Sequence, residues 1–254
     1  MWLDVAELDA FYRTPLGRVA RLMIRRRLRA MWPDTTGKRV LAFGYGTPYL
    51  GAYRDGAERV AGVMPAAQGV IAWPSEGRRL VALSEEAALP FADNSFDLAL
   101  LVHALESSEQ LRPMLREVWR VLAGNGRVLV IAPNRRGLWA RLERTPFGHG
   151  HPYSPRQLEK LLVDCLYTPL RTEAALYMPP VRGFMMLRLA TAWERLGARW
   201  KMPFAGVLLM EAEKRVYAAT AAPLGNRRLR RRAATGALYP NASSTTPLVS
   251  KKTP

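Results

Sequence analysis

Four side chains in this 254-residue chain are suited to moving a proton at a reacting centre: His103, His149, His151 and Tyr153. Three of them stand in one short run, FGHGHPYS at residues 147 to 154, among glycines and a proline that suit a turn equally well. The single cysteine, Cys165, excludes an intramolecular disulfide and a cysteine-cluster metal site, and the three histidines lack the spacing of zinc ligands, so no metal is expected. A second stretch, VLAFGYGTPYL at residues 40 to 50, sets an apolar run against a turn in which Gly44 and Gly46 stand two apart. Glycines so placed let a backbone come close to a ligand, and they also end strands for purely steric reasons. Both readings stay open on the turn alone.

The elements that must carry these groups follow from apolar periodicity. Val5, Leu8, Phe11, Leu16, Val19, Leu22 and Met23 recur at helical spacing, with Pro15 dividing two segments, which predicts a helical lead-in over residues 1–37. KRVLAFG reads as a buried strand, Pro48 to Gly56 as the helix after it, and RVAGVM as a second strand. RRLVALS and SFDLALLVHAL read as the third and fourth strands. LRPMLREVWRVL reads as an amphipathic helix ended by Gly124, and GRVLVIAP as the fifth strand. The Pro/Gly-bearing connection over 135–160 suits a lid and leads into a helix capped by Ser154 with Pro155 at its first position. Two late strands, TPLRTEAALYMP and GVLLMEAEKRVYAA, flank the helical stretch GFMMLRLATAWERLGARW. Strand and helix in alternation predict an α/β, doubly wound sheet, whose ligand lies beyond the strand C-termini at the switch in strand order.

Beyond the turn stand ALPFADNSFDLALLVHALE and then LREVWRVLAGNGRVLVIAPN. This order resembles the class I S-adenosylmethionine-dependent methyltransferases of the type 11 group. The resemblance is close over about residues 38 to 134 and looser to about Ala222. LPFADNSFD is its most specific element, and HALE at residues 103 to 106 matches the segment after the family's fourth strand. The resemblance implies a mostly parallel, seven-stranded Rossmann-like sheet with an antiparallel last strand, over residues 38–222, and S-adenosyl-L-methionine as cofactor. Carried over by position, Phe43, Gly44 and Gly46 would meet the amino-acid end of the cofactor. Glu85 would accept from the adenine amino group, Ala87 and Ala88 would line the adenine pocket, and His103 would stand at the mouth. Asp97 falls where the chain enters the fourth strand, a structural place. Two departures stand out. Ala42 replaces the usual acidic residue of the first motif, with Pro48 in place of its third glycine. Met64 stands where an acidic residue would accept from both ribose hydroxyls, leaving Gln68 or a water to substitute.

Methyl transfer from a sulfonium is an in-line displacement with an activated donor, so positioning and desolvation supply much of the catalysis. The implied activity is methyl transfer to a small-molecule or protein acceptor that the sequence does not identify. VHAL after the fourth strand, rather than an Asp/Asn-Pro-Pro-aromatic run, disfavours an amino group of a nucleic-acid base. A catalytically inactive binding or regulatory module is the alternative, resting on Ala42, Pro48 and Met64. A third reading, an RNA- or anionic-membrane-binding protein, rests on the formal net charge of +17. Much of that excess is local, in RLMIRRRLR at 21 to 29 and NRRLRRR at 226 to 232, and it would equally suit an acidic partner. Residues 223–254, rich in Arg, Ser, Thr and Pro, read as a basic flexible tail. No apolar run approaches the roughly 20 residues of a membrane span and no signal-peptide pattern opens the chain, so a cytoplasmic location is expected.

Deleting residues 224–254 should leave the melting temperature and any cofactor affinity nearly unchanged while weakening binding to anionic vesicles or RNA at low salt. Calorimetry and sedimentation with vesicles check the two halves.

Overall fold

The computed structural model describes residues 2–181, 183, 187–200 and 202–214. The tail and its arginine run lie outside the described residues. Seven strands form one sheet in the order β3-β2-β1-β4-β5-β7-β6. They are β1 (Arg39–Gly44), β2 (Arg59–Pro65), β3 (Val81–Ser84), β4 (Phe96–Val102), β5 (Leu122–Pro133), β6 (Tyr167–Ala175) and β7 (Val207–Lys214). Pairings from β3 through β5 are parallel, and β7 runs antiparallel between β5 and β6. The expected doubly wound α/β sheet, mostly parallel with an antiparallel last strand, is thus present. Its switch point lies where β1 pairs with both β2 and β4.

Both faces of the sheet are covered, as parallel strands require. Along β1, Val40 and Ala42 point into one core and Leu41 and Phe43 into the other. The first core is roofed by α1 (Val5–Arg13), α2 (Pro15–Met31) and α6 (Ala190–Arg199). The second is roofed by α4 (Leu111–Val121) and α5 (Pro155–Asp164). In α2 the buried set Leu16, Ala20, Met23, Ile24, Leu28 and Met31 follows the three-to-four spacing of one helical face. The lead-in therefore supplies one outer layer of the sandwich. Thr14 divides its two helices, accepting from Gly17 N–H at 3.0 Å, with Pro15 at the first position of α2. Ser154 caps α5 in a reciprocal box with Gln157, as the Ser-Pro start predicts.

Three boundaries differ from the sequence expectation. The helix after β1 is a single turn, α3 (Thr47–Leu50), followed by turns to Gly56. Beyond Leu50 only Tyr53 of that stretch is buried, too little apolar surface to hold a longer helix. β3 begins at Val81 rather than Arg78, at the edge of the sheet. Gly124 does not end α4: the helix stops at Val121 and β5 starts at the next residue, because Leu122 already pairs with Phe96. Gly124 and Asn125, the latter at φ +62°, fall in the irregular stretch before the register resumes at Leu98 and Arg127.

The N-terminal ends of β1 and β4 are locked by one carboxylate. Asp97 accepts from the Arg39 backbone N–H at 2.9 Å and from its guanidinium Nε and Nη2 at 3.0 Å each. This arginine holds the Asp97 carboxyl below its ordinary range. A carboxyl lowered in the folded state stabilises above its unfolded pKa, about 3.9, and loses that contribution as pH falls through the folded value. Asp97→Asn should therefore cost about 1.5–3 kcal/mol at pH 7. The gap to wild type should narrow below about pH 4, as read by urea unfolding at the two pH values.

Candidate active site at the carboxyl ends of β1 and β4

The chain leaves β1 through Gly44 at φ +81°, a left-handed backbone, and a Cβ there would collide with the Val102 carbonyl oxygen. That carbonyl accepts from Tyr45 N–H at 2.9 Å, tying the turn to the end of β4. At Gly46 a Cβ would stand 2.5 Å from the methyl of Ala42. Both glycines are thus required by the turn's own packing, whatever else they allow.

One residue past β4, His103 adopts φ +50°, unusual for a residue with a Cβ. Such a conformation costs on the order of 1–3 kcal/mol and persists where surrounding contacts fix it. Those contacts are specific. His103 Nε2 lies 2.9 Å from the Tyr12 hydroxyl and Nδ1 lies 3.2 Å from Glu106 Oε1, with both His103 and Glu106 2% exposed. With Nδ1–H turned to the Glu106 carboxylate, Nε2 is left to accept from the Tyr12 O–H, and the Tyr12 oxygen can accept from the Tyr49 hydroxyl 3.1 Å away. Burial above all, and then Tyr49, hold the Tyr12 phenol far above its usual range, so it remains a donor. Tyr45 lies 5.6 Å from Tyr12 ring to ring and donates to Asp9 Oδ1 at 3.1 Å, a second tie between α1 and the glycine turn.

Of the four proton-transfer candidates, only His103 enters this cluster as a side chain. His149 bonds through Nε2 to the Glu143 carbonyl at 2.7 Å, and His151 is exposed, its backbone N–H donating to the Glu106 carbonyl at 2.9 Å. Tyr153 donates to the Leu105 carbonyl at 3.2 Å, and burial, with the Glu106 carboxylate next, pushes its phenol up to about 12. The connection itself reaches the cluster through Phe147, buried and 4.9 Å from His103 ring to ring.

The positions carried over for the cofactor are dispersed in environment. Phe43 is wholly buried, its ring edge-on to Trp2 at 6.4 Å, so only its backbone is left to meet a ligand. Met64 is wholly buried, and its sulfur accepts from Ile71 N–H at 3.5 Å. Glu85 is exposed at the end of β3 and Ala87 is half-buried. The adjacent Glu86 is the buried carboxylate, accepting from the Ser108 hydroxyl at 2.6 Å and Gln110 N–H at 2.7 Å before α4. Gln68, four residues beyond Met64, is 1% exposed, and neither atom of its amide has a hydrogen-bond partner. Glu106 Oε2 is also buried without a partner. Sequence reasoning missed Tyr12 and Glu106. For Tyr12 no local signal exists, because it reaches the site from a helix 91 residues upstream of His103. For Glu106 the His-x-x-Glu spacing was visible in HALE.

A cleft of about 860 Å³ opens at the same end of the sheet on the β6 side, lined by Arg27, Arg136, Arg156, Asn134, Glu173 and Tyr177 among others.

Residues 41–130 match the model of a methyltransferase domain family, type 11. Residues 41–130 thus form a methyltransferase domain of the class I S-adenosylmethionine-dependent type. Solved structures of similar fold include an S-adenosylmethionine-dependent methyltransferase of Thermotoga maritima, 17% identical, covering 83% of this chain and 96% of that one at a TM-score of 0.59. A methyltransferase in complex with the Trm112 activator of Haloferax volcanii is 16% identical, with 84% and 97% covered and a TM-score of 0.59. The cyclase SpnF is 24% identical, with 76% and 80% covered and a TM-score of 0.54. No curated protein matches. S-adenosyl-L-methionine is the cofactor of this methyltransferase family, and the residues present fit such a group: a buried amide without protein partners stands just beyond β2, the strand paired with β1. Among the described residues no three His, Cys, Asp or Glu side chains converge on a metal site, and no helix is long and apolar enough to cross a membrane.

The Tyr12 hydroxyl links helix, turn and histidine, whereas His149 makes one bond at the surface. Tyr12→Phe should lower stability by about 1–3 kcal/mol. His149→Ala should stay within about 0.5 kcal/mol of wild type in the same urea titration.

Proposed function

We propose that this methyltransferase moves a methyl group to a hydroxyl, amine or carboxyl of a small-molecule or protein acceptor, with His103 as the proton acceptor and Glu106 as its positioning residue. The observation that carries the reading is the buried Glu106–His103–Tyr12 chain at the carboxyl end of β4. S-adenosylmethionine, when bound, supplies an electrophilic methyl group. The chain's own residues do the rest. Glu106 holds Nδ1–H and thereby fixes the tautomer that leaves a lone pair on Nε2. An acceptor O–H or N–H arriving where the Tyr12 hydroxyl stands would meet that lone pair at hydrogen-bond distance, and its proton would pass to Nε2. Phe147, buried beside the ring, excludes water from the transfer. His149, His151 and Tyr153 take no proton in this scheme. Phe147 of the 135–160 connection covers the imidazole and packs edge-on against Phe11 of α1, which is the role proposed for that segment.

A binding module without turnover is the second reading, favoured by the wholly buried Met64 and Ala42 at the two carboxylate positions.

Incubation with a methyl-tritiated donor and a panel of hydroxyl, amine and carboxyl acceptors should yield labelled product. His103→Ala should lower kcat by about 10²–10⁴-fold with the cofactor Kd unchanged. Cofactor binding without transfer to any acceptor class would favour the binding module.

A further inference from the structure

Gln68 ends a single 3-10 turn, Ala66–Gln68, that follows β2 directly. The next residue, Gly69, has φ +82°, and a Cβ on it would lie 3.4 Å from Val5 Cγ1 of α1, so this turn is wedged between the sheet end and the lead-in helix. A glutamine side chain carries one acceptor oxygen and a two-hydrogen donor nitrogen, and burying both without partners is unfavourable. Here the side chain is 1% exposed and both atoms lack a protein partner. A surface amide would find water and a structural one would find backbone. This one is enclosed and without a protein partner just beyond β2, the strand that pairs with β1 at the switch point.

We infer that the Gln68 amide reads the vicinal diol of the cofactor's ribose, in place of the carboxylate missing at position 64. The inference rests on the cofactor reading above. A vicinal diol offers two hydroxyls, each both donor and acceptor, so an amide can accept from one and donate to the other, whichever way its oxygen and nitrogen are turned. Met64 cannot take this part, because its sulfur is engaged by Ile71 N–H and its side chain has no other polar atom. Glu85, exposed beyond β3, serves a different strand end. An amide is neutral, so the contact should be weaker than a carboxylate's but independent of pH across the neutral range.

The test is calorimetric titration of the full chain with S-adenosylhomocysteine and with its 2′-deoxy analogue, beside thermal melts of the ligand-free protein. Wild type should prefer the ribose form by about tenfold. Gln68→Met, nearly the same size and without polar atoms, should bind S-adenosylhomocysteine about tenfold more weakly and lose that preference, while its ligand-free melting temperature stays equal or rises. Gln68→Glu, which keeps an acceptor, should retain the preference. Equal affinity of wild type for the two ligands would assign the amide to an internal water and overturn the inference while leaving the cofactor reading intact. So would a Gln68→Met protein that melts lower yet still discriminates. No heat with either ligand in wild type would overturn both.

Discussion

The bond from Tyr45 N–H to the Val102 carbonyl joins the exit of β1 to the exit of β4, and the site is built around it. It forms only because Gly44 takes a left-handed backbone and carries no side chain to strike that carbonyl. Once made, it sets where the next residue on each strand must go. Tyr45 is directed toward α1 and Asp9, and His103 leaves β4 in a left-handed conformation toward Tyr12. Parallel strands separated by β2 and β3 in sequence thereby present two side chains to one helix. At the opposite ends of the same two strands the Arg39–Asp97 pair fixes their register, so the pair of strands is held at both extremities.

The lead-in helices complete what the sheet begins. α2 covers the sheet with a continuous apolar face, and its end is fastened where Trp32 Nε1 donates to the buried Glu211 carboxylate at 2.9 Å, which also pairs with Arg171 at 2.7 Å. With α2 fixed and Thr14 capping it, α1 has a defined start for its return across the switch point. The helix that usually follows the first strand is reduced here to one turn, and the N-terminal segment occupies the same core with Ala42, Tyr49 and Tyr53. A site residue from before the shared family region, Tyr12, is the outcome.

The sheet was legible because its strands are short apolar runs in an order that only a parallel, doubly wound arrangement satisfies, and because LPFADNSFD and HALE mark the fourth strand on both sides. Caps with explicit side-chain chemistry, Thr14-Pro15 and Ser154-Pro155, were legible for the same local reason. Gly124 misled because a glycine after a helix suggests a stop, whereas Leu122 had already been claimed by Phe96 across the sheet. His149 and His151 drew attention by residue type, yet backbone carbonyls and solvent take their side chains or their amides. The Tyr12 contact was illegible in principle. Helical periodicity places Tyr12 on a helix but says nothing of which strand end that helix crosses.

Ala42 packs directly beneath Gly46. Its methyl is 1% exposed and leaves just the space that Gly46 and the aromatic layer require, and Met64 is equally enclosed. An acidic side chain returned to either place by one mutation would enter a packed apolar layer before any compensating neighbour had changed, and a buried, unpaired carboxylate is strongly unfavourable. The packing around these two positions therefore opposes a carboxylate at either one.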